Sequence, residues 1–316
     1  MKKWQTVGWR GSILMFATGI VLVLSGCGGG GGGGAVMPGA TGVISGTAIK
    51  GPVQGAKVTA FGINANGTLG PAIGSAMTDS TGGFRMSVGP HDGAVMLQMK
   101  GGNYMDEASG SMMSMYSTDI MTSVIPAFAS GETMTGVQVT PLTSMAQVLA
   151  AHMAGGMTGT NITAANDSVG GYFLVTDILH IMPMDPTAVN SGAAATKDEK
   201  DYGMAIAAMT QVAKSLGMPH SSGMVTAFME DATDGVMDGM MGTTAISMSG
   251  MGGMGTGMGG GMMMSSMSTT AGTTGLASAM SSFMTNSAVN RSGLDVTDPD
   301  IQALMTKLNS APTQTL

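Results

Sequence analysis

Between residue 42 and about residue 139, apolar and polar residues alternate in short runs separated by turn signals. The clearest runs are 43–48, 56–61, 73–78, 84–88 and 94–99, and the breaks between them contain Gly, Pro, Asn or Asp. The first run is followed by the turn signal Lys50-Gly51-Pro52. Alternation with a period of two over such lengths is typical of strands that bury one face. The pattern predicts an antiparallel β-sandwich over 42–139.

From Thr140 onward the apolar residues recur at helical spacing, and Thr140-Pro141 is a favoured N-cap and first helical residue. We predict further helices after an N-cap at Asn161, over 199–216 after an N-cap at Asp198, and at 222–230, 276–290 and 299–309 with Asp298 as cap. The fold class is therefore α+β: the sandwich is followed by an all-α helical bundle over 140–316. A Met/Gly-rich low-complexity insertion at 239–274 is predicted to be a disordered loop.

The N-terminus carries the basic residues Lys2, Lys3 and Arg10, followed by a charge-free apolar stretch that ends in Leu24-Ser25-Gly26-Cys27. This arrangement resembles the signal peptide and lipobox of bacterial lipoproteins. The resemblance implies that residues 1–26 are removed and that Cys27 carries two or three acyl chains, enough to hold a protein firmly on a membrane. The alternative is an ordinary signal peptide with an incidental cysteine.

Residues 27–41 are predicted to be a lipidated, flexible tether, because Gly28 to Gly34 is an uninterrupted glycine run. In the lipoprotein family an Asp directly after the lipidated Cys favours retention at the inner membrane, and this chain has Gly28 there. We therefore expect a lipid-anchored protein of the bacterial cell envelope, at the outer membrane, with the leaflet left open.

Three segments carry a second resemblance: Ile44-Ser45-Gly46-Thr47, residues 51–61 and residues 78–84. Together they look like the carboxypeptidase-regulatory-like, transthyretin-like β-sandwich. In that pattern Asp79 and Gly82 suit a turn and Phe84 begins the next strand as a core residue. The known forms of this module have no catalytic residues, so the resemblance implies none here. Residues 101–111 and 139–146 also resemble segments of bacterial surface or periplasmic lipoproteins.

Composition and charge narrow the function. The chain has 52 Gly and 37 Met, only 10% charged residues and a net charge of −7. Without the leader it would keep 9 basic and 19 acidic side chains, which argues against nucleic acid as a partner. A single Cys excludes a disulfide scaffold and a Cys-based zinc site.

Methionines crowd into residues 240–267, and their thioether sulfurs are soft ligands suited to Cu(I) or Ag(I). The candidate metal ligands are Met240, Met241, Met248, Met251, Met254, Met258, Met262, Met263, Met264 and Met267. Other interpretations stay open: a passive or oxidant-scavenging loop, or no specific role. Methionine also replaces leucine at core-type positions far from this loop, such as Met145 and Met209, and this needs no metal.

Other candidate chemistry is weaker. Asp231, Asp234 and Asp238 flank Asp-Gly turns that could bind Ca²⁺, but EF-hand spacing is absent. Adjacent Asp106 and Glu107 are expected to have a turn or capping role rather than to act together on one substrate atom, because neighbours on an extended segment point to opposite faces. Four histidines lack metal-ligand spacing, and no hydrolase or phosphate-binding motif is present. We therefore expect no enzyme and no cofactor. The expected role is structural or interactive, with an envelope protein as partner; soft-metal sequestration is the alternative, and a hydrolase acting between the modules is a minor one.

Overall fold

Strands form the first part of the chain and helices the second, so the predicted α+β class is confirmed at this level. The computed structural model describes residues 39–247 and 266–316. The strands of the first part are β1 (Gly42–Ala48), β2 (Lys57–Ile63), β3 (Leu69–Met77), β4 (Gly83–Val88), β5 (Gly93–Lys100), β6 (Asn103–Asp106), β7 (Ser111–Ser114), β8 (Ile120–Phe128) and β9 (Thr133–Val139). The helices are α1 (Pro141–His152), α2 (Gly159–Phe173), α3 (Lys197–Ser215), α4 (Ser222–Asp231), α5 (Thr274–Met284) and α6 (Pro299–Leu308).

The strands form two open sheets and a hairpin. One sheet has the order β4-β1-β9, the other has the order β3-β2-β5-β8, and β6 pairs with β7. The pairing is antiparallel except between β1 and β9, which run parallel with Val43 opposite Thr133 and Ala48 opposite Val139. The expectation of a wholly antiparallel arrangement is therefore wrong for this pair. A parallel pair needs a long connection, and here everything between β1 and β9 provides it.

Strand β5 is buried on both faces, and this explains its nearly continuous apolar run. Val95, Leu97 and Met99 belong to a hydrophobic cluster that also contains Ile44 of β1, so that cluster has side chains from both sheets. Met96 belongs to a second cluster, which it shares with residues of all six helices. The helices therefore pack on the sheet, and the described strands and helices belong to one compact unit.

The turn predicted between β3 and β4 is present. Asp79 Oδ1 accepts hydrogen bonds from the backbone N–H groups of Thr81 at 2.8 Å and Gly83 at 2.9 Å. The hydroxyl of Thr81 donates to the same oxygen at 2.7 Å. This hydroxyl most of all, together with the two backbone donors, holds the pKa of the exposed carboxyl below its ordinary value. Gly82 adopts a left-handed φ of 79°, and Phe84 is buried at the start of β4. The local chemistry of this motif was thus readable from the sequence.

Two predicted helix caps are confirmed. Thr140 caps α1 in a reciprocal arrangement with Thr143, and Pro141 is the first helical residue. Asp298 caps α6 by accepting from the backbone N–H groups of Asp300 and Ile301. Each satisfies N–H groups that the first turn of a helix leaves without partners.

Two other predicted caps are wrong, because a threonine upstream takes the position. Helix α2 is capped by Thr158, while the Asn161 amide donates to the carbonyl of Gly156 at 2.7 Å. Helix α3 is capped by Thr196 in a capping box with Glu199. The Asp198 carboxylate instead accepts from the backbone of Thr176 at 2.9 Å. Capping residues are abundant at these sites, and tertiary contacts decide which one is used.

The end of the chain differs from the prediction in two respects. Helix α5 stops at Met284 rather than near residue 290, because the Asn286 side chain accepts from the backbone of Ala288 and forms a local turn. The described ends of the 239–274 segment are structured, where no structure was predicted. Short strands lie there and nearby: β10 (Val236–Met237), β11 (Met240–Met241), β12 (Thr244–Ala245) and, at the C-terminus, β13 (Gln314–Thr315).

Candidate functional site

The turn after β1 buries a lysine. The Lys50-Gly51-Pro52 turn was predicted, but the 1% exposure of Lys50 was not. Gly51 has a left-handed φ of 56°, and a Cβ atom placed on it would lie 2.1 Å from the carbonyl oxygen of Met105. The backbone of the turn therefore packs directly on β6, and only glycine permits this approach. Packed in this way, the turn has its lysine inside the protein.

The Lys50 ammonium lies among polar groups from distant parts of the chain. Its Nζ atom donates to Ser221 Oγ at 2.7 Å and to Thr210 Oγ1 at 3.1 Å. The carboxyl oxygen Oε2 of Glu107 lies 3.6 Å away, and the ring centroid of Tyr104 lies 4.5 Å away. A buried ammonium is tolerated only with this kind of partner set. These five residues form what we call the Lys50 cluster.

Adjacent Asp106 and Glu107 both reach this cluster. The Ser221 hydroxyl donates to Asp106 Oδ2, and the Thr210 hydroxyl donates to Glu107 Oε2 at 2.8 Å. Asp106 also performs the turn role that was expected, because its Oδ1 accepts from the backbone N–H of Ser109 at 2.9 Å. The expectation that the two carboxyls face apart is wrong, since Glu107 follows the end of β6 and alternation no longer applies.

The electrostatic environment of Glu107 combines opposing influences. Burial raises the pKa of its carboxyl above the ordinary value, the Lys50 ammonium acts in the opposite direction, and the neighbouring Asp106 charge raises the pKa again. Burial likewise raises the pKa of Asp119, whose carboxyl accepts from the Ser222 hydroxyl. The region is thus richer in carboxyl groups than in cations.

The contacts of Ser221 bear on its chemistry. A nucleophilic serine needs a base that accepts its proton. Here the Lys50 ammonium donates a hydrogen bond to Ser221 Oγ, and the Ser221 hydroxyl donates one to the Asp106 carboxylate. Tyr104 also lies within hydrogen-bond distance at 3.1 Å, and Ser221 is 4% exposed. Ser221 thus has a carboxylate acceptor for its proton, and it links that carboxylate to the Lys50 ammonium inside the protein.

Near the cluster is a cleft of about 410 Å³ that Glu107 helps to line. Its walls are the turn after β1, the segment 182–186 and the first turns of α3. It has the size and the apolar character of a small-molecule site.

The three carboxylates considered for Ca²⁺ organise turns. Asp231 Oδ1 accepts from the backbone of Asp238 at 3.0 Å and Gly239 at 2.6 Å. Asp234 accepts from the backbone N–H of Gly242 at 2.8 Å. Burial raises the pKa of Asp231 to about 7, against the effect of its backbone donors. No group of three or more His, Cys, Asp or Glu side chains placed to hold a metal occurs in 39–247 or 266–316.

Three of the ten candidate methionine ligands, Met240, Met241 and Met267, lie in the part of the chain that the structure describes. Met240 and Met241 form β11 of a small hairpin, with Met240 half-buried and Met241 46% exposed. Met267 is 3% exposed and lies in the hydrophobic cluster of the helices. The other candidates fall in 248–265 and, like Cys27, lie outside the described residues. They are Met248, Met251, Met254, Met258, Met262, Met263 and Met264.

Three of the four histidines bond locally. His91 contacts the carbonyl of Ala94 at 2.8 Å, His152 that of Val148 at 2.8 Å, and His180 the carboxylate of Asp177 at 2.9 Å. Within the part of the chain that the structure covers, no helix is long and apolar enough to cross a membrane.

Comparisons with known proteins assign no family. No protein-family model matches the sequence, and a search of the curated proteins found no match. Among solved structures, a 9R-lipoxygenase from Cyanothece PCC8801 is similar at a TM-score of 0.18 and 11% sequence identity. The match covers 60% of this chain and 24% of the lipoxygenase, so the chain spans about a quarter of its length.

Proposed function

We propose that this protein is a lipid-anchored component of the bacterial cell envelope with a non-catalytic interaction role. The observation that carries the proposal is the position of the one cysteine of the chain, Cys27, after a basic and then apolar leader. The glycine run Gly28–Gly34 follows it, and the first strand begins at Gly42. A leader, an acylation site, a spacer and a folded part occur in the order that an anchored protein requires.

The proposal includes a finer architecture, in which the two sheets face each other as a transthyretin-like sandwich and the helices form a bundle beside it. The mixed cluster of Ile44, Val95 and Leu97 supports the sandwich. The shared cluster of Met96 with the helices supports a bundle that rests on the outer face of the larger sheet. Such a body offers rigid surfaces for a partner protein of the envelope.

The anchor is tested by expressing the full chain in a Gram-negative host with an alkyne fatty acid in the medium. Wild type is expected to incorporate the label and to stay in the outer-membrane fraction after a high-salt wash. Cys27→Ala is expected to lose the label, whereas Gly28→Ala, the matched control, keeps it. An unlabelled wild type, or Cys27→Ala that carries label, would overturn the anchor.

Binding of Cu(I) or Ag(I) by the methionine-rich segment is a second candidate, favoured by how the segment is attached. Ser247 and Ser266 pair across its two ends, and the backbone N–H of Met267 donates to the carbonyl of Ile246 at 2.8 Å. Seven methionines lie between these paired ends. Residues 248–265 can therefore be replaced by a short Gly-Ser turn while Met267 keeps its place in the core.

The test is a Cu(I) titration of the full chain against a competing chelator. If the segment binds the metal, the shortened variant loses the tight sites. A variant with Met240 and Met241 changed to Leu, which leaves 248–265 intact, should lose much less. Equal Cu(I) binding by wild type and the shortened variant would exclude the segment as the site.

A further inference from the structure

The cleft beside the Lys50 cluster has an apolar body and an acidic charge. Its apolar walls include Ile49, Pro183, Met184 and Ile206. Met182 also lines the cleft and is 55% exposed. Its ionisable lining residues are Glu107, Asp185 and Glu199; no Lys, Arg or His is among the described residues that line it. Apolar walls with a few convergent polar groups are typical of small-molecule sites.

Two of these carboxylates are held by local bonds. Asp185 Oδ1 accepts from the backbone and the hydroxyl of Thr187, at 2.8 and 2.7 Å. Glu199 Oε2 accepts from the backbone of Thr196 at 2.7 Å as part of the α3 capping box. Both charges are therefore fixed at the cleft, and a cation that enters meets a preorganised negative field.

Glu107 is the deep carboxyl of the cleft, with a side chain only 3% exposed. Glu107 and the adjacent buried carboxyl Asp106 both lie by one buried ammonium, that of Lys50. Lys50 lies 3.6 Å from Glu107 and reaches Asp106 only through Ser221, so the two carboxyls share one ammonium, and Glu107 is the carboxyl that borders the cleft. Lys214, the other cation nearby, donates to the carbonyl of Ala108 at 2.6 Å rather than to a carboxyl.

We propose that this cleft binds a small organic cation, namely a protonated amine on an apolar body, with the ammonium on Glu107 and the apolar part against Met182, Met184 and Ile206. The bound ammonium supplies the second positive charge that the buried carboxyls lack. A charge-assisted hydrogen bond in such a site is stronger than one on the surface. The described residues that line this cleft all lie outside the lipid anchor and the methionine-rich segment, so the proposal is tested separately from both.

The test uses hexylamine as the probe, with 1-hexanol and hexanoate as neutral and anionic molecules of matched length. The full chain, purified in a non-ionic detergent, is labelled with ¹³C at the methionine methyl groups. Met182 and Met184, assigned by Leu substitution, report binding directly. We expect saturable shifts of both signals with hexylamine, and at least about tenfold weaker binding of the alcohol and the acid. Equal binding of amine and alcohol would overturn the proposal.

Two variants locate the site. Glu107→Gln is expected to weaken hexylamine binding at least about tenfold and to leave 1-hexanol binding unchanged. Ala194→Trp, at an exposed position in the lining, is expected to fill the cleft and abolish both. Ala288→Trp, an exposed alanine outside the cleft, is the matched control.

The second variant decides the outcome if the first one unfolds. Glu107→Gln alters a buried cluster, and collapse of the methyl spectrum would show that it fails to fold. In that case undiminished hexylamine binding by Ala194→Trp would overturn the proposal, and loss of binding there but not in Ala288→Trp would support it. Undiminished binding by a folded Glu107→Gln would also overturn it.

Discussion

Lys50 Nζ and Glu107 Oε2 lie 3.6 Å apart, and the two side chains are only 2% and 3% exposed. The pair joins the turn after β1 to the segment after β6, and its hydrogen bonds extend to Thr210 of α3 and to Ser221 beside α4. The cluster therefore connects the strand-rich and helix-rich parts of the chain at one point. Removal of one member of a buried charge set leaves the other charges uncompensated. The free energy of unfolding therefore falls further than it does on substitution of an exposed charge.

Loss of the Lys50 ammonium is expected to be severely destabilising. Lys50→Met leaves Asp106 and Glu107 buried without a cation, and we expect the free energy of unfolding to fall by ~3–5 kcal/mol. Lys57→Met, which removes an exposed lysine from β2, should change it by no more than about 0.5 kcal/mol. Urea unfolding followed by far-UV circular dichroism measures both. Equal stability of the two variants would mean that the cluster contributes nothing.

A double-mutant cycle on Lys50 and Glu107 separates the energy of this ion pair from that of the other contacts of the cluster. Glu107→Gln should cost less than Lys50→Met, because Lys50 keeps Ser221 and, through it, Asp106. The double variant should lose less than the sum of the two single losses, since each single change leaves a partner behind. Strict additivity would show that the two groups do not interact.

Gly51 and Gly55 form a matched pair for the packing of the turn. Both have left-handed φ values, 56° and 68°, but a Cβ atom on Gly55 would meet nothing within 4 Å, whereas on Gly51 it would meet Met105 at 2.1 Å. Gly55→Ala should cost only the conformational strain, about 1 kcal/mol. Gly51→Ala adds a clash with the backbone and should cost about 3 kcal/mol or more. Thermal or urea unfolding compares them, and similar losses would contradict the close approach.

A hydroxyl that links three segments gives another prediction. Tyr202 OH on α3 lies 2.6 Å from Thr140 Oγ1 and donates to the carbonyl of Ile178 at 2.9 Å. Tyr202→Phe leaves these buried groups with one partner fewer and should reduce the free energy of unfolding by about 1–3 kcal/mol. Tyr116→Phe is the control, because Tyr116 is half-buried as a residue and its hydroxyl makes no hydrogen bond to another described residue. An equal effect of the two substitutions would argue against a structural role for the Tyr202 hydroxyl.

Local chemistry was predictable from the sequence to a greater extent than the assembly of the site. The Asp79 turn and the caps at Thr140 and Asp298 depend on residues within a few positions, and they were predicted correctly. The turn at Lys50 was also predicted, but its burial depends on partners 160 and 171 residues away, which no local pattern reveals.

The candidate site shows the same limit. Adjacent carboxyls at Asp106 and Glu107 were visible, yet their alternation was assumed to continue past the end of β6. The cleft combines Glu107 with Met184 and Ile206, which come from three separate regions of the chain. A charged residue in a predicted turn is usually exposed, so the one signal that could have indicated Lys50 was the adjacent glycine with its need for close packing.

Stability should depend on pH through Asp231, which is fully buried and whose pKa burial raises to about 7 from an ordinary value of 3.8. Between these values the native protein holds a proton that the unfolded chain has released. The free energy of unfolding should therefore fall as the pH rises through this window, by at most ~4 kcal/mol from this group. Asp201, whose pKa burial raises to about 6, acts with the same sign.

Asp231→Asn removes the charge and keeps an oxygen for the backbone donors of Asp238 and Gly239. It should flatten the pH profile of stability and be more stable than wild type at about pH 8, where the buried carboxylate is ionised. We expect the loss of stability at high pH to affect first the hairpin of β11 and β12, which leads to the methionine-rich segment. Asp231 accepts directly from the backbone N–H of Gly239 beside β11. Urea unfolding at about pH 5 and about pH 8 measures the difference, with Asp167→Asn as the control for loss of an exposed carboxyl. A profile as steep in Asp231→Asn as in wild type would assign the pH dependence to other groups, Asp201 first.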